Sequence, residues 1–126
     1  MGYYTDRKTS VAAAAIIIAL LVAAGLFFAL RKTDDIKDLR YEQISDYEKI
    51  LTHEPGNTDI LVKIGSLYKS TGEIDKAIRY LTKALEIDPE NYGALNELGH
   101  AYALKGDYDR AIDTFLKAKK LPVSPT

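Results

Sequence analysis

A block of 34 residues that occurs twice in succession constrains this chain more than any other feature. The block covers residues 58–91, and its copy begins at residue 92. A fixed period of this length is typical of stacked repeat proteins, in which each unit buries its apolar face against the next. Under a shift of 34, nine positions carry the same residue in both copies: Leu61/Leu95, Gly65/Gly99, Tyr68/Tyr102, Gly72/Gly106, Asp75/Asp109, Ala77/Ala111, Ile78/Ile112, Lys83/Lys117 and Ala84/Ala118.

The recurring residues resemble the tetratricopeptide repeat (TPR) family. That family has Leu-x-x-Leu-Gly-x-x-Tyr on its first helix, Ala-x-x-x-Phe-x-x-Ala on its second helix, and a Pro that closes the repeat. Two departures are the absence of Trp and the second closing proline, Pro122, which comes one place early. The matching positions are Leu61, Ile64, Gly65, Tyr68, Ala77, Leu81, Ala84 and Pro89, and then Leu95, Leu98, Gly99, Tyr102, Ala111, Phe115 and Ala118.

The helix signals agree with that resemblance, which implies an all-α fold of antiparallel helix pairs. Asn57 or Thr58 is a suitable N-cap, and Gly72 suits the position after a helix. We predict four helices. The first runs from this cap to Gly72, the second over residues 73–86 and the third over residues 91–105; the fourth follows a turn at Gly106 and ends at about residue 120. Gly65 and Gly99 are expected to let the two helices of each pair approach closely.

Composition narrows the chemistry. The chain has 126 residues, which allows one modest domain, and its net charge of −1 does not suggest a nucleic-acid partner. With no Cys and two His, disulfides, thiolate sites and a multi-His metal site are excluded. We find no phosphate-binding loop or catalytic motif, and we therefore predict no enzyme, cofactor or metal.

Residues 11–30 form an uninterrupted apolar segment. As a helix rising about 1.5 Å per residue, it is long enough to cross a bilayer core of about 30 Å. Arg7 and Lys8 precede it, Arg31 and Lys32 follow, and Tyr3 with Tyr4 suits the headgroup region. A cleaved signal peptide is the alternative, but its apolar core is shorter, so we predict an uncleaved anchor.

The membrane orientation stays open on sequence grounds. Basic residues number two before the segment and five in the next twenty residues, which favours a cytoplasmic C-terminal side. Acidic residues are interleaved there, however, and a short basic N-terminal tail is often retained inside. Ala15, Ala19 and Ala23 form a small-residue stripe that would permit close contact between membrane helices, although a segment this rich in Ala produces such stripes by chance.

An isolated second helix of a repeat is predicted between the membrane segment and the first full repeat. It would start at Thr33 or Asp34 and end before Pro55, with Tyr47, Ile50 and Leu51 at the positions of Leu81, Ala84 and Leu85. The predicted domains are a tail (1–10), a transmembrane helix (11–30), a linker with a half-repeat helix (31–56), and two repeats (57–91 and 92–126). Five soluble helices would follow the anchor, close to the bilayer.

The resemblance also implies a binding surface. In TPR proteins, one arc of the first helices lines a concave groove that receives a peptide or a helix; an ordinary solvated face is the alternative. The mixed charges do not predict a carboxylate clamp, and we expect His100 to be a polar contact rather than a pH switch. The groove residues are Asp59, Val62, Lys63, Ser66, Lys69, Asn96, Glu97, His100 and Leu104.

A second candidate interface lies on the last helix, because stacked repeats need a polar terminal cap and no further helix follows. The second repeat is more polar here than the first: at the positions of Leu85, Glu86 and Tyr80 it has Lys119, Lys120 and Thr114. These differences suit a helix face in water. Some apolar residues would nevertheless remain available to another protein or to a second copy, in a hetero- or homo-oligomer. They are Ile112, Phe115, Leu116 and Leu121.

These features predict a single-pass protein of the cell or inner membrane that acts as an adaptor or scaffold. The repeats would recruit a protein or peptide partner, or aid assembly of a membrane-associated complex. The alternative is an integral structural subunit of a larger membrane complex, held through its transmembrane helix.

Overall fold

The computed structural model describes residues 7–122, and this part of the chain contains five α-helices and no strand. They are α1 (Arg7–His53), α2 (Thr58–Thr71), α3 (Ile74–Ile87), α4 (Tyr92–Lys105) and α5 (Tyr108–Lys120). The all-α prediction is confirmed. Tyr3, Tyr4 and Pro125 lie outside the described residues.

Capping interactions fix the ends of the repeat helices. The Asn57 and Asn91 side chains accept hydrogen bonds from the backbone N–H groups of Ile60 (3.1 Å) and Ala94 (2.9 Å). Gly72 and Gly106 end the first helix of each repeat with φ of 89° and 84°, a left-handed conformation that glycine adopts without a steric cost. The predicted bounds of α2 to α5 therefore agree with the structure to within one or two residues.

α1 corrects one prediction. A separate helix was expected to start at Thr33 or Asp34, but α1 continues through both residues. The chain contains neither Gly nor Pro between residues 26 and 54, so nothing interrupts the helix. The Thr33 hydroxyl donates to the carbonyl of Leu30 instead of acting as a cap.

The chain divides into two compact units, of which the first ends at Asp38 and the second starts at Leu39. In the first unit, the apolar side chains of α1 are exposed: the large ones in residues 11–30 have exposures from 56% (Leu30) to 73% (Phe28). α1 is the one helix within residues 7–122 that is long and apolar enough to cross a membrane, by length and composition alone.

In the second unit, the C-terminal part of α1 packs in one core with residues of α2, α3 and α4. Its Ile44 is only 2% exposed and joins a core with Ile64 and Leu81, while Leu51 packs at the edge. Glu48 accepts hydrogen bonds from Tyr80 (2.7 Å) and Tyr68 (3.4 Å). This carboxylate therefore connects the half repeat to both helices of the first full repeat.

Glycines set the closest approach within each pair, as predicted. A Cβ on Gly65 would lie 2.7 Å from Cγ of Leu81, and one on Gly99 would lie 2.6 Å from Cε1 of Phe115. Both distances are shorter than carbon atoms tolerate, so a Cβ at either position would require the opposing side chain to move.

Candidate functional site

The first helices of the two repeats, α2 and α4, carry all of the residues predicted for the concave groove. Lys69 on α2 forms an ion pair with Glu97 on α4 at 2.6 Å, with side-chain exposures of 20% and 24%. This pair links equivalent helices of successive repeats. It also neutralises two of the charges that the groove would otherwise present to a ligand.

The remaining predicted groove residues fall into different environments. Asp59, Lys63, His100 and Leu104 are exposed, and Ser66 is half-buried. Val62 packs against the core.

Two predicted groove residues touch aromatic rings. The Lys63 ammonium lies 5.6 Å from the ring centroid of Tyr47, within the range of a cation–π contact. His100 is exposed and lies edge-on to Phe115, with ring centroids 5.1 Å apart. Its contact is thus with an aromatic ring, where a polar contact was expected.

A small cavity of about 250 Å³ adjoins the exposed part of α2. Gln43 and Tyr47 of α1 line one side, and Lys63, Ser66 and Leu67 of α2 line the other. Sequence reasoning placed Lys63 and Ser66 here but missed the α1 residues. The repeat register gives no signal for Gln43, because a shift of 34 places it at Ala77, which faces the helix before its own, whereas α2 follows α1.

A larger cavity of about 700 Å³ opens between α4 and α5. Asn96, predicted as a groove residue, lines it together with Phe115 and Leu121, which were predicted as a separate terminal interface. Ala118, Lys119 and Pro122 complete this side of the wall. The structure therefore joins parts of two predicted surfaces into one cavity.

The other terminal residues lie around α5 without lining that cavity. Ile112 and Leu116 are 57% and 48% exposed. Lys119 and Lys120 are exposed, as their polarity suggests, but Thr114 is only 7% exposed and donates to the carbonyl of Arg110. The expectation that Thr114 faces water is wrong, because its hydroxyl finds its partner within its own helix.

Polar links connect helices across the surface of the second unit. Arg40 donates to the carbonyl of Ser70 (2.8 Å), and Tyr41 donates to Glu73 (2.6 Å). Lys105 on α4 pairs with Asp75 on α3 at 2.7 Å and holds the pKa of that carboxyl below its ordinary value. Such exposed pairs stabilise only weakly, so they orient helices more than they hold them together.

Catalytic chemistry finds little support in residues 7–122. They hold no group of three or more His, Cys, Asp or Glu residues arranged to bind a metal ion. Burial first, and then the hydrogen bond to Glu48, raises the pKa of Tyr80 to about 12, so packing accounts for this perturbed tyrosine.

These observations define a helical repeat protein with exposed residues on its first helices and a cavity between α4 and α5. Comparison with protein families is consistent with this class: the model of the tetratricopeptide repeat matches residues 62–125, half of the chain. The chain belongs to the tetratricopeptide repeat family.

Solved structures show the same architecture. A crystal structure of MamA matches with a TM-score of 0.63 and 32% identity, covering 66% of this chain and 48% of MamA. A second MamA crystal structure matches with a TM-score of 0.61 and 29% identity, covering 68% and 52%. The chain thus spans about half the length of these MamA chains. Curated protein sequences give no match.

Proposed function

We propose that this chain is a membrane-anchored protein-interaction module, in which residues 11–30 form the anchor and the repeats hold a segment of a partner protein. The observation that carries the proposal is the Lys69–Glu97 ion pair. It links α2 to α4, on which Asp59, Lys63 and Leu104 are exposed. TPR proteins use this arc of their first helices to bind partners.

Anchoring would strengthen such a module. A domain held at a bilayer meets partners of the same membrane at a raised local concentration, so a modest affinity is sufficient. The apolar side chains of residues 11–30 support this role, because they are exposed in the isolated chain and lipid would cover them.

The groove is tested by purifying four forms of the full chain from membranes: wild type, Lys63→Glu, Leu104→Asp and Lys83→Glu. Both lysines are exposed, but Lys83 lies on α3, away from the predicted groove residues. We expect mass spectrometry to find a partner with wild type and Lys83→Glu, and at least tenfold less of it with Lys63→Glu and with Leu104→Asp. Equal recovery from all four chains would exclude this face.

A structural subunit of a larger membrane complex is the second candidate. It is favoured by the exposed apolar face of residues 11–30, which other membrane helices could cover as well as lipid, and by the small-residue stripe at Ala15, Ala19 and Ala23. Replacing residues 11–30 with an unrelated apolar helix of equal length distinguishes an interaction module from a structural subunit. A module should keep its partner after this exchange, whereas a subunit should lose its complex.

A further inference from the structure

The large cavity between α4 and α5 has a covered counterpart within the same chain, on α3. Its wall residues Phe115, Ala118 and Lys119 correspond, under the shift of 34, to Leu81, Ala84 and Leu85 of α3. On α3 these positions are covered: Leu81 and Ala84 have no exposure, and Leu85 is half-buried.

The cover on α3 is the first helix of the next repeat. Ala94 of α4 is fully buried in a cluster with Ala84 and Leu61, and Leu85 and Val62 pack against that cluster. Val62 is the counterpart of Asn96 in the cavity wall. Three residues packed around Ala94, namely Ala84, Leu85 and Val62, therefore correspond to Ala118, Lys119 and Asn96 in the wall of the open cavity.

Part of the same contact occurs between α1 and α2, although Ile50, the counterpart of Ala84, is 40% exposed. Ile60 is the counterpart of Ala94, and it is buried in a core against which Leu51, the counterpart of Leu85, packs. Of the three helices that take the place of a second helix of a repeat (α1, α3 and α5), α1 and α3 thus pack against the first helix of the following repeat. The third, α5, has no such cover among residues 7–122.

We propose that the cavity between α4 and α5 receives one amphipathic helix of another protein, bound as the first helix of a third repeat. This proposal rests on the proposed interaction function and names its partner by chemistry. The helix should carry a residue between Ala and Ile in size where α4 has Ala94. Apolar residues should follow four and seven positions later, as Leu98 and Ala101 do in α4.

Charge adds one further requirement. Lys119 stands where α3 has Leu85, so a cation occupies the rim of a cavity whose counterparts are apolar. Lys117 and Lys120 in the same last turn make this end of α5 basic. An acidic residue in the first turn of the bound helix would pair with Lys119, and it would also suit the positive end of that helix.

A second copy of this chain does not offer the required helix. In a folded copy, the first helix of each repeat already has a neighbour on both sides. α2 contacts α1 through Ile60 and α3 through Gly65. α4 contacts α3 through Ala94 and α5 through Gly99. The helix at the other end of the stack, α1, takes the place of a second helix of a repeat and so does not match the required first helix. The geometry therefore points to a separate protein as the source.

The test uses a helix that is known to fit the counterpart surface. A fluorescent peptide of residues 91–105, made helical by a lactam on its solvent-facing side, is titrated against the full chain in lipid nanodiscs. Fluorescence anisotropy reports binding, and empty nanodiscs correct for partition of the peptide into lipid. We expect saturable binding that is lost, at least tenfold, when the peptide carries Ala94→Glu.

Variants of the protein locate the site. Lys119→Leu restores the residue of the covered counterpart and should tighten binding of the peptide at least threefold, whereas Lys120→Leu, a matched change outside the cavity wall, should leave it unchanged. A peptide that merely displaced α4 from its own place would be indifferent to Lys119, and that result would overturn the proposal.

Other occupants give distinct results. Binding only after truncation behind Pro122 would identify the chain's own end as the occupant and overturn the proposal. A dimer in nanodiscs that dissociates when Lys119 is changed to Glu would identify a second copy of the chain as the occupant, and would also overturn the proposal. Absence of saturable binding by wild type and Lys119→Leu alike would reject the end site, while a partner that depends on Lys63 would still support the proposed function.

Discussion

Single residues set the spacing of the repeat helices, and Gly65 is the clearest case. It faces Leu81, one of the largest side chains without exposure, so no free space exists for a displaced atom. Gly99 faces the ring of Phe115, which also borders the open cavity and so has room to move. The same glycine position is therefore stricter in the first repeat than in the second.

Substitution of Gly65 by Ala should destabilise the repeat domain. Overpacking a core costs about 1–3 kcal/mol, whereas replacing Gly by Ala inside a helix gains about 1 kcal/mol. We expect a net loss of up to about 2 kcal/mol, measured as a lower midpoint of urea unfolding. Gly93→Ala is the control, because its Cβ would meet only the Asn91 side chain at 3.4 Å and should not lower the midpoint.

Tyr80 and its acceptor Glu48 predict a dependence of stability on alkaline pH. The pKa of Tyr80 is raised from 10.0 to about 12 by burial and by Glu48, so the folded state favours the neutral hydroxyl. This contribution is fully present below pH 10, the range of an unfolded tyrosine, and is lost as pH rises towards 12.

We therefore expect the urea midpoint to fall between pH 10 and 12, and to fall less in Tyr80→Phe. Tyr108→Phe serves as the control, since Tyr108 is 67% exposed, and it should keep the wild-type slope. Identical slopes for wild type and Tyr80→Phe would show that this hydroxyl does not carry the effect.

At the scale of elements, α1 differs most from its sequence-based description. Its first part is apolar and exposed, and its last part is a repeat helix anchored by Ile44 and Glu48. Charges and an apparent N-cap suggested two helices with a break. Backbone hydrogen bonding overrides that signal, because a helix without Gly or Pro continues more readily than it ends.

Continuity of α1 predicts slow hydrogen exchange between residues 33 and 38. In a continuous helix, each amide there bonds to the carbonyl four residues earlier, whereas the first four amides of a new helix lack such partners. We expect protection comparable to that of residues 39–45 when the full chain is measured in nanodiscs by mass spectrometry. Rapid exchange restricted to residues 33–38 would restore the predicted break.

At the scale of the whole molecule, the anchor is the property on which the proposed role depends. If residues 11–30 span a bilayer, the full chain should stay in the membrane pellet after alkaline carbonate extraction, and a variant lacking these residues should be released. Intact mass of the membrane form distinguishes a retained anchor from a signal sequence, since loss of the residues before and within the segment would rule out anchoring.

The sequence alone determined the fold, because the 34-residue period repeats the packing residues of each helix pair. Asn57, Gly72 and their copies likewise fixed where helices begin and end, since capping is a local interaction that needs no distant partner. The same register predicts the half repeat through Tyr47 and Leu51, and both side chains pack against the core.

Only the tertiary structure decided which surfaces exist. The sequence assigned Asn96 to the groove and Phe115 to a separate terminal interface, yet both line one cavity. It also treated Lys69 and Glu97 as separate charges, although they form an ion pair. Side-chain reach across a helix interface depends on the angle and spacing of the helices, which periodicity does not encode. For that reason the sequence identified the repeated unit, and packing revealed the open place at its end.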